Sequence, residues 1–94
     1  METFADAVGD EAIARQLWSA LGGKGAFRRF RDQIYRQPEE ISRAWQRYRD
    51  LRAMRRALEW LQDEQLVVEA EAVARAEQLA EEARRTLELV AARS

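Results

Sequence analysis

The sequence contains no cysteine and no histidine. Their absence excludes disulfides, thiolate nucleophiles, the usual zinc sites and the usual proton carrier near neutral pH. No apolar run approaches the roughly 20 residues of a membrane span, so we expect no membrane partner. The acidic start, Met1–Ala12, does not resemble a secretory signal, and a fold without disulfides suits a reducing compartment. We therefore expect a cytoplasmic protein.

Groups for acid–base chemistry are also scarce. Without histidine or cysteine, an enzyme would need carboxylates with a metal, or a lysine of shifted pKa, and Lys24 is the only lysine. Neighbouring carboxylates are typical of solvated helix faces rather than of an acid–base pair in a cleft: Asp6 and Asp10, Asp63 and Glu64, Glu77 and Glu81. We expect a protein that is not an enzyme, with no cofactor and no metal.

Proline and glycine number one and four in 94 residues, and all but Gly9 fall between Gly22 and Trp45. The remainder is rich in helix formers, which predicts a small all-α domain of three to four helices with a long C-terminal helix. We expect residues 1–66 to form the helical domain and residues 67–94 an Ala- and Glu-rich C-terminal helix.

Helix signals flank the glycine-rich turn. Asp10 suits the N-cap of a helix that Gly22 and Gly23 end. The next helix is expected from Gly25 to about Arg36, with a buried stripe of Phe27, Phe30 and Ile34. Pro38 then begins a long helix to about Asp63. Its Trp60 lies away from the middle of the apolar band, where it either meets the C-terminal segment or stays exposed for a partner.

The C-terminal segment shows the alternating three- and four-residue spacing of a helix seam. Its predicted interface positions are Val73, Ala76, Ala80, Ala83, Leu87 and Val90. This seam can pack back on the preceding helix or pair with a second chain. No break signal other than Val67–Val68 separates the two long helices, so a single helix from Pro38 to Ala92 is also possible.

The net charge of −1 conceals an uneven distribution. Residues 1–21 sum to −3, residues 22–60 to +6 and residues 61–94 to −4. Either the basic middle meets an anion such as nucleic acid, or the acidic ends cover it within the fold or across a dimer. The near-complete cancellation favours the second interpretation.

Two features bear on anion binding. The glycine turn lacks the spacing and hydroxyl of a P-loop, but Lys24, Arg28 and Arg29 are candidate contacts for an anion or nucleic acid. The alternative, which we favour, is that the glycines only form a tight turn. On the long helix, arginines lie on both sides of the apolar band, a scatter that argues against a helix that reads a groove: Arg43 and Arg47 on one side, Arg49, Arg52 and Arg56 on the other.

Residues 10–66 resemble the C-terminal half of a bacterial family of unknown function, uncharacterised protein family one hundred fifty-eight. The matching residues are the run Leu21–Phe30, then Arg31-Asp32, Pro38-Glu39, Trp45 and Trp60-Leu61. The family tends to have glycine after the Trp-Leu pair, where this chain has Gln65. The resemblance implies an all-helical fold and a bacterial or phage origin, and it implies no reaction.

We therefore expect a non-enzymatic helical interaction module, with a protein partner or a homo-oligomer formed through the C-terminal helix. The alternative is a small nucleic-acid-binding regulator or antitoxin-like protein that uses the basic 24–56 segment.

Overall fold

The computed structural model describes residues 1–93, and every regular element in that range is an α-helix. The predicted all-α class is confirmed. The predicted long C-terminal helix is present, and the last residue of the predicted 67–94 segment lies outside the described residues. The five helices are α1 (Glu2–Ala7), α2 (Glu11–Ser19), α3 (Ala26–Arg36), α4 (Glu39–Asp63) and α5 (Glu69–Ala92).

The helix boundaries follow from local chemistry. The Asp10 carboxylate accepts hydrogen bonds from the backbone N–H groups of Ala12 (3.0 Å) and Ile13 (3.1 Å), which satisfies two free donors at the start of α2. Gln37 is extended (φ −84°, ψ 167°), as expected of a residue before proline, and it separates α3 from α4. These boundaries confirm the helices predicted around Asp10 and Pro38.

The core is organised around Trp45 of α4. Its ring lies edge-on to Phe4 of α1 (5.3 Å between centroids) and to Phe30 of α3 (4.9 Å), the geometry that aromatic quadrupoles favour. Leu17 of α2 and Val90 of α5 belong to the same buried cluster. All five helices therefore contribute to one core.

Phe27 corrects the predicted core stripe. Phe30 and Ile34 are buried, but Phe27 is 55% exposed. The spacing of the stripe identifies the inner face of α3, but it does not say how far the neighbouring helix extends over that face. The prediction that Phe27 is a core residue is wrong.

The helices α4 and α5 form a hairpin, so one continuous helix from Pro38 to Ala92 is wrong. Gln65 ends α4 in the left-handed conformation (φ 57°). Its N–H donates to the Gln62 carbonyl (3.0 Å), and the Leu66 N–H donates to the Leu61 carbonyl (2.9 Å). This pair of bonds is the Schellman motif, which usually places glycine where Gln65 stands.

The other end of α5 is fixed against the α1–α2 turn. The Gly9 N–H donates to the Val90 carbonyl (2.9 Å), which satisfies an acceptor in the last turn of α5. A Cβ atom at Gly9 would overlap the Ala91 carbonyl oxygen. Gly9 is therefore required by the close approach of two backbones.

The hairpin extends beyond the core. The buried side chains of α4 are Ile41, Trp45, Tyr48 and Leu51, all in or before the middle of the helix. From Arg52 to Asp63 no side chain of α4 is fully buried. The chain is accordingly elongated, 44 × 31 × 18 Å. The second half of α4 and the first half of α5 thus leave surfaces that α1–α3 do not cover.

Candidate functional site

The glycine turn uses one of its three predicted anion contacts for its own structure. Gly23 and Gly25 have positive φ (72° and 76°), which glycine adopts without strain. The Arg29 guanidinium donates to the carbonyl oxygens of Gly22 and Lys24. Arg29 therefore links α3 to the turn before it, and of the predicted contacts Lys24 and Arg28 are exposed without this role.

The predicted interface of α5 is partly occupied within the chain. Val90 is buried, and Ala76, Ala83 and Leu87 are half-buried, because α5 packs along α4. Val73 and Ala80 are exposed.

The stripe that α5 buries lies one residue away from the predicted one over much of its length. The buried residues are Ala72, Leu79, Thr86 and Val90. Ala72 and Leu79 precede the exposed Val73 and Ala80, and one residue is a rotation of 100° around the helix. A search for apolar spacing misses this stripe, because one of its buried members, Thr86, is polar. Its hydroxyl donates to the Glu82 carbonyl (2.9 Å), which makes its burial inexpensive.

A basic cleft lies between α1, α3 and α4. Its volume is about 510 Å³, and the residues that line it include Glu2, Thr3, Phe27, Arg49, Arg52 and Arg56. We call it the arginine cleft. The three arginines follow one another at three and four residues, so they share one face of α4. The exposed Phe27 ring gives this basic surface an apolar side.

The charges of the arginine cleft are only lightly compensated. Arg49 approaches the carboxylate of its neighbour Asp50 at 3.9 Å, and Arg56 has no ion pair among residues 1–93. Arg52 lies over the Tyr48 ring (5.8 Å) and donates to its hydroxyl (3.2 Å). Partial burial and then the Arg52 charge lower the pKa of the Met1 amino group. The cleft is therefore a region of positive potential.

The closed end of the α4–α5 hairpin has the opposite charge. Residues 57–74, which we call the hairpin tip, contain five acids and no lysine or arginine. Large apolar side chains are exposed there, namely Trp60 (58%), Leu66 (63%) and Val68 (61%). Trp60 follows Leu51 by nine residues and so points to the opposite side of α4 from the buried contact with α5. Of the two positions expected for Trp60, the structure shows the exposed one.

Charge compensation between helices is limited. Two ion pairs join the segments that differ in charge, Arg47 with Glu82 (2.7 Å) and Arg93 with Glu40 (3.2 Å). The other pairs in residues 1–93 lie within one helix. Among them, the hydrogen bond from Arg84 lowers the pKa of Glu81. The acidic α5 therefore makes few ion pairs with α4 and leaves the arginine cleft open.

The arginine cleft and the hairpin tip were therefore not predicted as surfaces from the sequence. The spacing of Arg49, Arg52 and Arg56 already placed them on one side of α4, but their proximity to Phe27 depends on how α3 packs. The exposure of Leu66 and Val68 depends on the hairpin turn at Gln65.

Residues 1–93 contain no metal cluster, no membrane-spanning helix and no unpaired buried polar side-chain atom. Over residues 1–93, no group of three or more Asp and Glu side chains is arranged to hold a metal. In the same range, no helix combines the length and apolar character needed to cross a bilayer. No buried side-chain nitrogen or oxygen of the described residues lacks a hydrogen-bond partner.

Comparison with known proteins gives a single result. The family model of the Uncharacterised protein family (UPF0158) matches residues 1–88. This match confirms the resemblance seen in the sequence and extends it from residues 10–66 to most of the chain. No curated protein and no solved structure matches the chain significantly.

Proposed function

We propose that this chain, which belongs to the Uncharacterised protein family (UPF0158), is a non-enzymatic helical interaction module that self-associates. The observation that supports the proposal is the hairpin tip, where Trp60, Leu66 and Val68 are each more than half exposed. Tryptophan is among the residues most enriched in the energetic centres of protein interfaces. Burial of these side chains against a partner would be favourable by about 25 cal/mol per Å² of apolar area.

The tip differs from the surface predicted from the sequence. Most residues of the predicted α5 seam are buried or half-buried. Its exposed members are Val73 and Ala80. Val73 also belongs to the tip, whereas Ala80 lies beyond it. Substitutions at the tip and at Ala80 therefore separate the two possible contacts.

Multi-angle light scattering after size exclusion tests self-association. We expect the wild-type chain to exceed its monomer mass of 11.0 kDa as concentration rises. Trp60→Gln combined with Leu66→Gln is expected to return it to the monomer. Leu89→Gln is the matched control, because Leu89 is 72% exposed and lies far from the tip near the end of α5.

The outcomes distinguish the surfaces. Loss of association in Ala80→Gln, with the tip variant unaffected, would assign the contact to the α5 seam. A wild-type chain that stays monomeric at all concentrations would remove self-association. Truncation after Leu66 is a poorer test, because it deletes Val90 from the core. Circular dichroism of each variant must show unchanged helix content.

A second candidate function rests on a different observation, the arginine cleft. We propose nucleic-acid binding as the alternative, because Arg49, Arg52 and Arg56 share a face beside the exposed Phe27, and bases stack on such rings. Binding of mixed-sequence DNA and RNA should weaken steeply with salt, since each phosphate contact releases counterions.

Fluorescence anisotropy with labelled oligonucleotides tests this alternative. Arg49→Gln with Arg56→Gln should weaken binding, and Arg75→Gln with Arg85→Gln on α5 is the charge-matched control. Lys24→Ala with Arg28→Ala tests the glycine turn without disturbing Arg29, which donates to the turn. Absence of any salt-sensitive binding would exclude this function.

A further inference from the structure

The arginine cleft and the hairpin tip have opposite charges, and both expose apolar side chains. The tip contains five acids without a base. The cleft is lined by Arg49, Arg52 and Arg56 and by one glutamate, Glu2. Each surface also exposes a large aromatic side chain, Trp60 at the tip and Phe27 in the cleft. Opposite charge around an apolar centre is a common feature of specific protein interfaces.

The tip cannot fold back over the cleft of its own chain. Arg49 and Trp60 lie about 16 Å apart along one continuous helix, α4, at 1.5 Å per residue, so the helix holds most of the tip away from the cleft. A second copy of the chain can supply the missing partner. Since Trp60 and arginine attract one another through cation–π contact, an arginine-lined cleft is also a suitable place for this indole.

We propose that the hairpin tip of one copy binds the arginine cleft of a second copy, and that the second tip binds the first cleft in return. The proposal rests on the self-association proposed above. Both surfaces lie along α4, with Arg56 and Asp63 about 10 Å apart at 1.5 Å per residue. An antiparallel pair of α4 helices can therefore make both contacts at once, which is the reciprocal arrangement of a two-fold dimer.

Charge also disfavours the simplest alternative. A dimer formed tip to tip would bring five acids of each copy together, and like charges across an interface oppose association. The reciprocal arrangement instead places each acidic tip against three guanidinium groups. Association should consequently weaken as salt rises, because salt screens exposed charges.

A charge exchange tests the proposal with two variants. The tip variant is Glu59→Lys with Asp63→Lys and Glu64→Lys, which changes the charge of the tip from −5 to +1. All three positions lie at the C-terminal end of α4, where positive charge favours a helix. The cleft variant is Arg49→Glu with Arg56→Glu, at exposed positions without a structural partner beyond the adjacent Asp50. Arg52 is left in place because it contacts Tyr48.

Sedimentation velocity should give a distinct result for each sample. The wild type should form a dimer of about twice 11.0 kDa. Each variant alone should be monomeric, because its tip and its cleft then have the same charge. An equimolar mixture should form a dimer with one copy of each variant, since both contacts again join opposite charges. A chain with all five substitutions should dimerise with itself.

Failure of this inference is distinguishable from failure of self-association. If the wild type dimerises and both variants still do, the chain associates through another surface and the inference is overturned. It is also overturned if the mixture remains monomeric while the wild type dimerises. If the wild type itself is monomeric, self-association falls with it. Binding of the cleft to oligonucleotides by a monomeric wild type would favour the nucleic-acid alternative.

Discussion

The turn that ends α4 offers the sharpest test of the fold. Gln65 has a φ of 57°, where its Cβ atom crowds the following carbonyl group. For an L-residue other than glycine this conformation costs roughly 1–2 kcal/mol. Glycine adopts it freely. We therefore predict that Gln65→Gly stabilises the protein.

The expected gain is the difference of two effects. Relief of the left-handed strain contributes roughly 1–2 kcal/mol, and the greater freedom of glycine in the unfolded chain removes about 0.4–1 kcal/mol. The net stabilisation is about 0.5–1 kcal/mol, which corresponds to a rise in Tm of about 2–8 °C in a chain of this size. The two hydrogen bonds of the turn are made by backbone atoms, so the substitution preserves them.

Glu64→Gly provides the matched control. Glu64 precedes Gln65 and has a negative φ of −82°, so glycine relieves no strain there. This substitution should destabilise the protein by about 0.5–1 kcal/mol through the added freedom of the unfolded chain. Urea denaturation followed by circular dichroism measures both changes. Equal destabilisation by the two glycines would show that Gln65 is not left-handed in solution, and the hairpin turn would be wrong.

Two further substitutions test the packing of the core. Gly9→Ala should lower the free energy of unfolding by about 2–3 kcal/mol, because its Cβ would clash with the end of α5. Gly22→Ala is the control, since Gly22 has open space around it and the substitution should change stability little. Equal effects of the two substitutions would contradict the close approach at Gly9. Phe30→Ala should cost about 3–5 kcal/mol as a core truncation, and Phe27→Ala much less. Chemical denaturation of both pairs of variants measures these changes. A large loss of stability in Phe27→Ala would show that Phe27 is a core residue.

Much of the local structure could be read from the sequence because its causes are local. The Asp10 cap and the break before Pro38 depend on neighbouring residues, and the structure places both where they were expected. The pattern also found Phe30 and Ile34, because a regular stripe marks the face that a helix buries. These features need no knowledge of how distant segments meet.

The remainder depends on distant contacts. In the sequence, Gly9 is only a residue that can end a helix. The structure shows that glycine is needed there because the Ala91 carbonyl lies too close for a Cβ atom. Phe27 fits the apolar stripe of α3, yet its side chain is 55% exposed and lines the arginine cleft. The left-handed turn at Gln65 lacks the glycine that would have signalled it. Each of these properties is decided by packing between segments far apart in the chain.

The candidate site is only partly predictable from the sequence. The acids of the tip and the arginines of α4 are evident in the sequence as blocks of opposite charge. Whether such blocks pair within one chain depends on the hairpin geometry, and Arg47 with Glu82 is the pair that α4 and α5 make directly. The arginines of the cleft and the acids of the tip remain largely uncompensated within the chain. We propose that a second copy compensates them.

Disulfide trapping tests the proposed assembly most directly, because the chain has no cysteine of its own. Thr3→Cys places a thiol in the arginine cleft, and Glu64→Cys places one at the hairpin tip. When the two single variants are mixed under mild oxidation, the account predicts that the mixed disulfide forms much faster than either symmetric one. Preferential linkage of tip to tip, or equal rates for all three products, would contradict it.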